Sequence, residues 1–336
     1  MKLYQINPLK CISSTSDDKG LYNIEISLAS LFYQTKIILF VGSSRNSNYN
    51  YTEKKLNLYD LDKQTKVDSQ TFDSEILSIK VLNKIIFVTT KEKMTIFNIV
   101  EENNVKRMKF IDSIKFQTNL LGLFDICKCN KNDNKNLIAV ENQLGSVEIF
   151  VLFHDSLTLN PLSIINPGYK NLQKIIMTQN FLFIVEEQGV YIKCYCSNDF
   201  QLISELYRGK KTSNITNIIE IDGACKHEDN TKDTKDNKNN MDNKKIVDND
   251  KDNHIKYIAV SSSNGTIHIY SIVQLSKQDK QNESKISISN FLNSSYKYLV
   301  GDQIKSIIKI NLRELCTNDL EYRNTICNCS NSNEIV

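Results

Sequence analysis

Apolar side chains in this sequence come in short bursts, alternating with polar residues or running on continuously, and helical periodicity is nearly absent. Asn, Asp, Ser, Lys and Gly fill the gaps between the bursts, which predicts short β-strands joined by tight turns. The clearest unit runs from Glu75 to Ile111. Within it, Ile76–Val81, Lys84–Thr89, Met94–Ile99 and Lys106–Phe110 each predict a strand. Four short strands in a stretch of that size make the unit of a β-propeller blade.

The unit recurs. Its third strand carries an aromatic residue at a matching place: Tyr4, Tyr59, Phe97, Phe150, Tyr195 and Tyr270. A glycine turn precedes several of these, with Gly145 before Phe150, Gly189 before Tyr195 and Gly265 before Tyr270. A fainter seventh unit is expected at Tyr298–Asp302 followed by Ile307–Asn311. There is no Trp, so Tyr or Phe replaces the aromatic of a typical WD repeat. The expected fold is all-β: a seven-bladed, WD-repeat-like β-propeller spanning 1–336 as a single domain, with its first and last blades incomplete or weak. Two stretches fall outside the blades. Residues 226–254 are rich in Asp, Asn and Lys with few apolar side chains, and are expected to form a disordered insert within blade six. The tail 316–336 has no assignable element.

Composition narrows the function classes. The formal charge is +3 over 336 residues, so bulk electrostatics gives no reason to expect nucleic acid, and any anion binding must come from a local patch. The start, Met1 to Pro8, lacks the apolar core of a secretory signal, and no run has the length of a membrane span. The expectation is a soluble protein, at most peripheral to a membrane. Nine cysteines include the pairs Cys127/Cys129, Cys194/Cys196 and Cys327/Cys329, each with one intervening residue. That spacing matches neither a zinc knuckle nor a disulfide framework and reads as reduced thiols, with zinc at Cys327/Cys329 a weak alternative. The histidines His154, His227, His254 and His268 are dispersed, and no Gly-rich phosphate loop is present. Neither an enzyme nor a cofactor is expected.

One patch invites chemistry. Arg208, followed by Gly209, Lys210 and Lys211, precedes a predicted hairpin of Ile258–Val260, the turn Ser261–Gly265 and Thr266–Tyr270. Alternation puts Thr266, His268 and Tyr270 on one face and Ile267 and Ile269 on the other. Arginine with hydroxyl and imidazole partners suits a phosphate. Read from these residues alone, the favoured assignment is the plainer one, with Arg208 a surface residue at a strand end and His268 a satisfied structural histidine.

At these residues the chain resembles the PROPPIN (WIPI) family, seven-bladed propellers that bind phosphoinositides in autophagy. Leu206-Tyr207-Arg208-Gly209 is similar to the family's Phe/Leu-Arg-Arg-Gly motif at the end of blade five. Ser261-Ser262-Ser263-Asn264-Gly265-Thr266-Ile267-His268-Ile269-Tyr270 resembles its blade-six stretch, and Leu3–Leu9 is similar to the end of its first blade. The resemblance implies a lipid-phosphate site of Arg208, Ser261, Ser262, Thr266 and His268, with Lys211 and Thr212 nearby. It also implies that a second family site is lost, because Tyr207 replaces the first arginine and Glu186 and Val190 replace blade-five hydroxyls. The function implied by the resemblance is that of a reader of phosphatidylinositol 3-phosphate or the 3,5-bisphosphate, cytoplasmic and peripheral on autophagic or endosomal membranes. Its expected partners are phosphoinositide membranes and an autophagy lipid-transfer or conjugation-machinery protein; it is expected to be a monomer and to bind no nucleic acid. The alternative is a propeller scaffold that has lost lipid binding.

Overall fold

Ile85–Thr89 shows how this chain builds its sheets. The continuous apolar run is buried on both faces. Ile86 and Val88 enter a cluster with Leu39, Leu58 and Phe97, while Ile85 and Phe87 enter another with Phe124, Ile138 and Phe150. Leu137–Val140 repeats the device. Leu137 and Ala139 face a cluster with Leu172, Ile175 and Ile184, and Ile138 and Val140 face the opposite one. Each Ile, Leu, Val or Phe side chain so taken out of water contributes about 1.5–3 kcal/mol. Middle strands therefore carry runs rather than alternation, as strands covered on both faces do.

The computed structural model describes residues 2–5, 10–14, 24–32, 36–45, 51–102, 105–129, 134–222, 255–273, 303–306 and 308–311. The chain divides into two compact units, Met1–Ile203 and Ser204–Val336. In the first, three sheets each hold four antiparallel strands in sequence order. They are Ile26–Leu31, Ile37–Gly42, Lys55–Asp60 and Thr65–Thr71; then Ser78–Leu82, Ile85–Thr89, Lys93–Glu102 and Val105–Lys115; then Phe124–Lys128, Lys135–Gln143, Ser146–Phe153 and Leu159–Ile165. Leu172–Met177, Phe181–Glu186 and Tyr191–Cys196 continue the pattern, and Lys2–Gln5 pairs with Lys10–Ser14. The four strands expected between Glu75 and Ile111 are thus present and in order.

The repeated aromatic marks a specific backbone feature. Where the third strand meets the fourth, the register slips beside it, between Leu58 and Tyr59 and between Ile149 and Phe150. The slip opposite Phe97 falls between Phe110 and Asp112, and the Lys2–Gln5 pairing slips between Leu3 and Tyr4. A bulge bends its strand and increases local twist. A large ring fills the space so created: Tyr59, Phe97 and Phe150 are all buried. Glycines make the preceding turns because these require left-handed backbone. At Gly145 φ is +76°, and an added Cβ would overlap the Tyr169 carbonyl oxygen and lie 3.0 Å from that of Lys170.

In the second unit, Ile215–Asp222, Ile255–Ser262, Thr266–Val273 and Ile308–Asn311 form one antiparallel sheet in that order. The last strand, expected in a separate seventh unit, instead completes this sheet by pairing with Thr266–Ile269. Glu205–Tyr207 pair in parallel with Gln303–Lys305. On one face of the sheet Ala259, Ile267, Ile269, Ile219, Ile221 and Ile310 pack together. The insert at 226–254, the stretch Tyr298–Asp302 and the tail 316–336 lie outside the described residues.

Candidate anion site

All the residues that matter here belong to the second unit. The pairing of Ser262 with Thr266 and of Val260 with His268 sets the faces of the hairpin. Thr266, His268 and Tyr270 share one face and leave Ile267 and Ile269 to the apolar cluster on the other, as alternation requires. His268 and Tyr270 lie nearly parallel, with ring centroids 6.5 Å apart, and the Tyr270 hydroxyl donates to the Tyr207 carbonyl at 3.2 Å.

The loop after Tyr207 is fastened to the hairpin turn. The Ser263 N–H donates to the Asn214 carbonyl at 2.8 Å, and the Asn214 N–H returns to the Ser263 hydroxyl at 3.2 Å. The Asn264 side-chain amide donates to the Thr212 carbonyl at 3.3 Å. Gly209 turns the loop at φ +142°, a backbone conformation that side-chain-bearing residues rarely adopt. The Arg208 guanidinium donates to the Lys211 carbonyl, and the arginine is 6% exposed.

Between loop and hairpin lies a cavity of about 730 Å³, lined by Arg208, Gly209, Lys210, Lys211, Thr212, Asn264, Thr266, His268 and Lys309. Four of these residues are cationic and none is acidic. Such a concavity concentrates anions. Burial, opposed by Tyr270, pulls the Arg208 guanidinium below its usual value, and burial pushes the Tyr270 phenol up. Burial first, then Arg208 and Lys309, lower His268 from 6.5 to about 4. Its imidazole is therefore neutral at physiological pH and serves as a hydrogen-bonding wall; its Nδ1 lies 3.1 Å from the Ser306 hydroxyl.

Lowering of that kind has a stability consequence. Between pH 6.5 and about 4 the unfolded chain takes up a proton at His268 that the folded chain refuses. The contribution is complete above pH 6.5 and is lost as pH falls toward 4, at up to about 1.4 kcal/mol per pH unit. Denaturant midpoints measured across this window should flatten in His268→Gln relative to wild type.

Of the residues expected from sequence, Arg208, Lys211, Thr212, Thr266 and His268 line the cavity together. Ser262 is set behind them, its hydroxyl 2.9 Å from that of Thr266. Ser261 lies on the opposite face, hydrogen-bonded to the Thr216 hydroxyl at 2.7 Å and the Asn217 carbonyl at 3.3 Å. Consecutive strand residues point apart, so Ser261 and Ser262 cannot both serve one pocket. Sequence reasoning missed Asn264, Ser306 and Lys309. The only local sign of Lys309 is a lone cation between Ile308 and Ile310, and its partner strand is not evident from the sequence. In the first unit, the Glu186 carboxylate accepts from the Val190 and Tyr191 N–H groups at 3.1 and 3.0 Å, and Val190 is buried. Among the described residues no three of His, Cys, Asp and Glu group to hold a metal ion, and no helix is long and apolar enough to cross a membrane.

Consecutive four-stranded antiparallel meanders define a WD-repeat-type β-propeller, and one of them carries a cationic cavity at its turns. No family model matches the chain. It is 23% identical over 224 residues to autophagy-related protein 21 of Pichia angusta, covering 64% of this chain and 53% of that protein. It is 21% identical over 273 residues to autophagy-related protein 18e of Arabidopsis thaliana, covering 80% and 59%. The chain thus spans little more than half the length of these relatives. Kluyveromyces lactis Hsv2, solved with its complete loop 6CD, superposes at a TM-score of 0.57 with 16% identity over 92% of this chain and 76% of that one. The chain is thus similar to autophagy-related proteins of the PROPPIN group, and its four-stranded antiparallel sheets match the β-propeller fold of the solved neighbour.

Proposed function

We propose that the protein is a non-enzymatic reader of 3-phosphorylated phosphoinositides, binding phosphatidylinositol 3-phosphate or the 3,5-bisphosphate at the cavity beside Arg208. The observation that carries this reading is the lining itself: four cations and no carboxylate, together with the Thr266 hydroxyl and the neutral His268 imidazole. Arginine presents a planar fork to phosphate oxygens, and hydroxyl and imidazole N–H groups complete their coordination. Ser262 supports Thr266 from behind, and Ser261 has no direct role. By its resemblance to autophagy proteins the chain acts peripherally on autophagic or endosomal membranes, where it recruits lipid-transfer or conjugation machinery.

One site is a weak anchor by itself, since stable membrane attachment generally takes a second contribution. At the positions of the family's blade-five site, Glu186 uses its carboxylate to hold its own turn and Val190 is apolar and buried. That observation favours a second reading, a protein-binding scaffold without lipid affinity. Flotation of the wild-type chain separates the two. The reader should co-float with phosphatidylcholine vesicles carrying either 3-phosphoinositide, and more strongly than with phosphatidylserine vesicles of equal charge. Equal recovery on all of them leaves the scaffold.

A further inference from the structure

Lys309 comes to the cavity from a part of the chain that the loop–hairpin motif does not include. Ile308–Asn311 pairs with Thr266–Ile269 so that Lys309 stands directly across from His268. Its neighbour Ile310 packs against the apolar cluster containing Ile267 and Ile269. Alternation then turns Lys309 to the other face, where it lines the cavity with Arg208, Thr266 and His268. The segment is also fixed at its start, where Gln303–Lys305 pair in parallel with Glu205–Tyr207 and the Ser306 hydroxyl meets His268 Nδ1 at 3.1 Å.

A lysine on an ordered strand, beside an arginine and two further lysines with no acid in the lining, adds a positive charge to the wall that an anion would face. Its ammonium is a compact charge on a flexible stem, complementary to the fixed fork of a largely buried arginine. We infer that Lys309 is a second charged contact for the phosphorylated headgroup, provided by the strand that completes the sheet. This rests on the phosphoinositide reading of the same cavity. Lys305 is a built-in control: it is exposed, lies four residues earlier on the same segment and is absent from the cavity lining.

The test compares Lys309→Ala, Lys309→Arg and Lys305→Ala by co-sedimentation with phosphatidylcholine vesicles carrying phosphatidylinositol 3-phosphate. A parallel set of vesicles carries phosphatidylserine at matched charge. Loss of one charge-assisted contact should lower affinity for the phosphoinositide vesicles roughly tenfold in Lys309→Ala. Lys309→Arg should retain most of it, and Lys305→Ala should change both vesicle types by the same small factor. Inorganic phosphate added as competitor should displace the protein weakly if the headgroup is recognised as a whole; full displacement would make the contact one for free phosphate and overturn its assignment to lipid. Equal weakening by Lys309→Ala and Lys305→Ala, with wild type still preferring phosphoinositide, sinks the role of Lys309 alone. A wild-type protein without that preference sinks the underlying reading as well.

Discussion

Arg208→Ala is expected to weaken binding to 3-phosphoinositide vesicles by roughly a hundredfold, enough to remove co-flotation. Truncating one side of a desolvated, hydrogen-bonded charge contact takes away about 2–5 kcal/mol, and a factor of ten corresponds to about 1.4 kcal/mol. The side chain is 6% exposed, and its guanidinium also holds the Lys211 carbonyl, so the loop carrying Lys210, Lys211 and Thr212 loses a tether at the same time. Arg208→Lys separates the two effects, because lysine keeps the charge without the planar fork and should fall between wild type and alanine. Flotation that survives unchanged in Arg208→Ala, with circular dichroism matching wild type, removes the cavity as the lipid site.

The second large effect is on stability. Gly145→Ala should lower the stability of the first unit by about 3 kcal/mol. A left-handed backbone costs a side-chain-bearing residue about 1–2 kcal/mol, and forcing an extra carbon into packed surroundings adds about 1–3 kcal/mol. At Gly145 the obstruction is the backbone carbonyls of Tyr169 and Lys170, which cannot swing aside as a flexible side chain would. Gly168 is the comparison: it too has a positive φ, +79°, but an added Cβ meets nothing within 4 Å. Gly168→Ala should therefore show only the backbone part. Urea denaturation of both variants checks this, and equal midpoints would show that small shifts relieve the carbonyl contact.

Much of the fold was legible because it is written locally. Apolar runs such as Ile85–Val88 and turns at Gly145, Gly189 and Gly265 need only neighbouring residues to be read, and the recurring aromatics set the frame of the repeat. The face assignment of Thr266 and His268 followed from alternation alone. The same rule, applied strictly, separates Ser261 from Ser262; the motif resemblance grouped them because a motif names neighbours in sequence without regard to the side each faces. Lys309 escaped for a different reason. Its place depends on which strand Ile308–Asn311 joins, and a pairing between residues so far apart in sequence leaves no mark on the local pattern. Ser306 and the parallel pairing of Gln303–Lys305 were hidden in the same way.

Burial of the middle strands on both faces restricts where this architecture can evolve. A residue such as Phe87 or Ile138 has no spare side to lend to recognition, so any change there disturbs folding before it reaches a ligand. New specificity can arise only at the ends and outer margins of the sheets, and divergence from relatives should collect in turns and closing strands while the interior stays apolar.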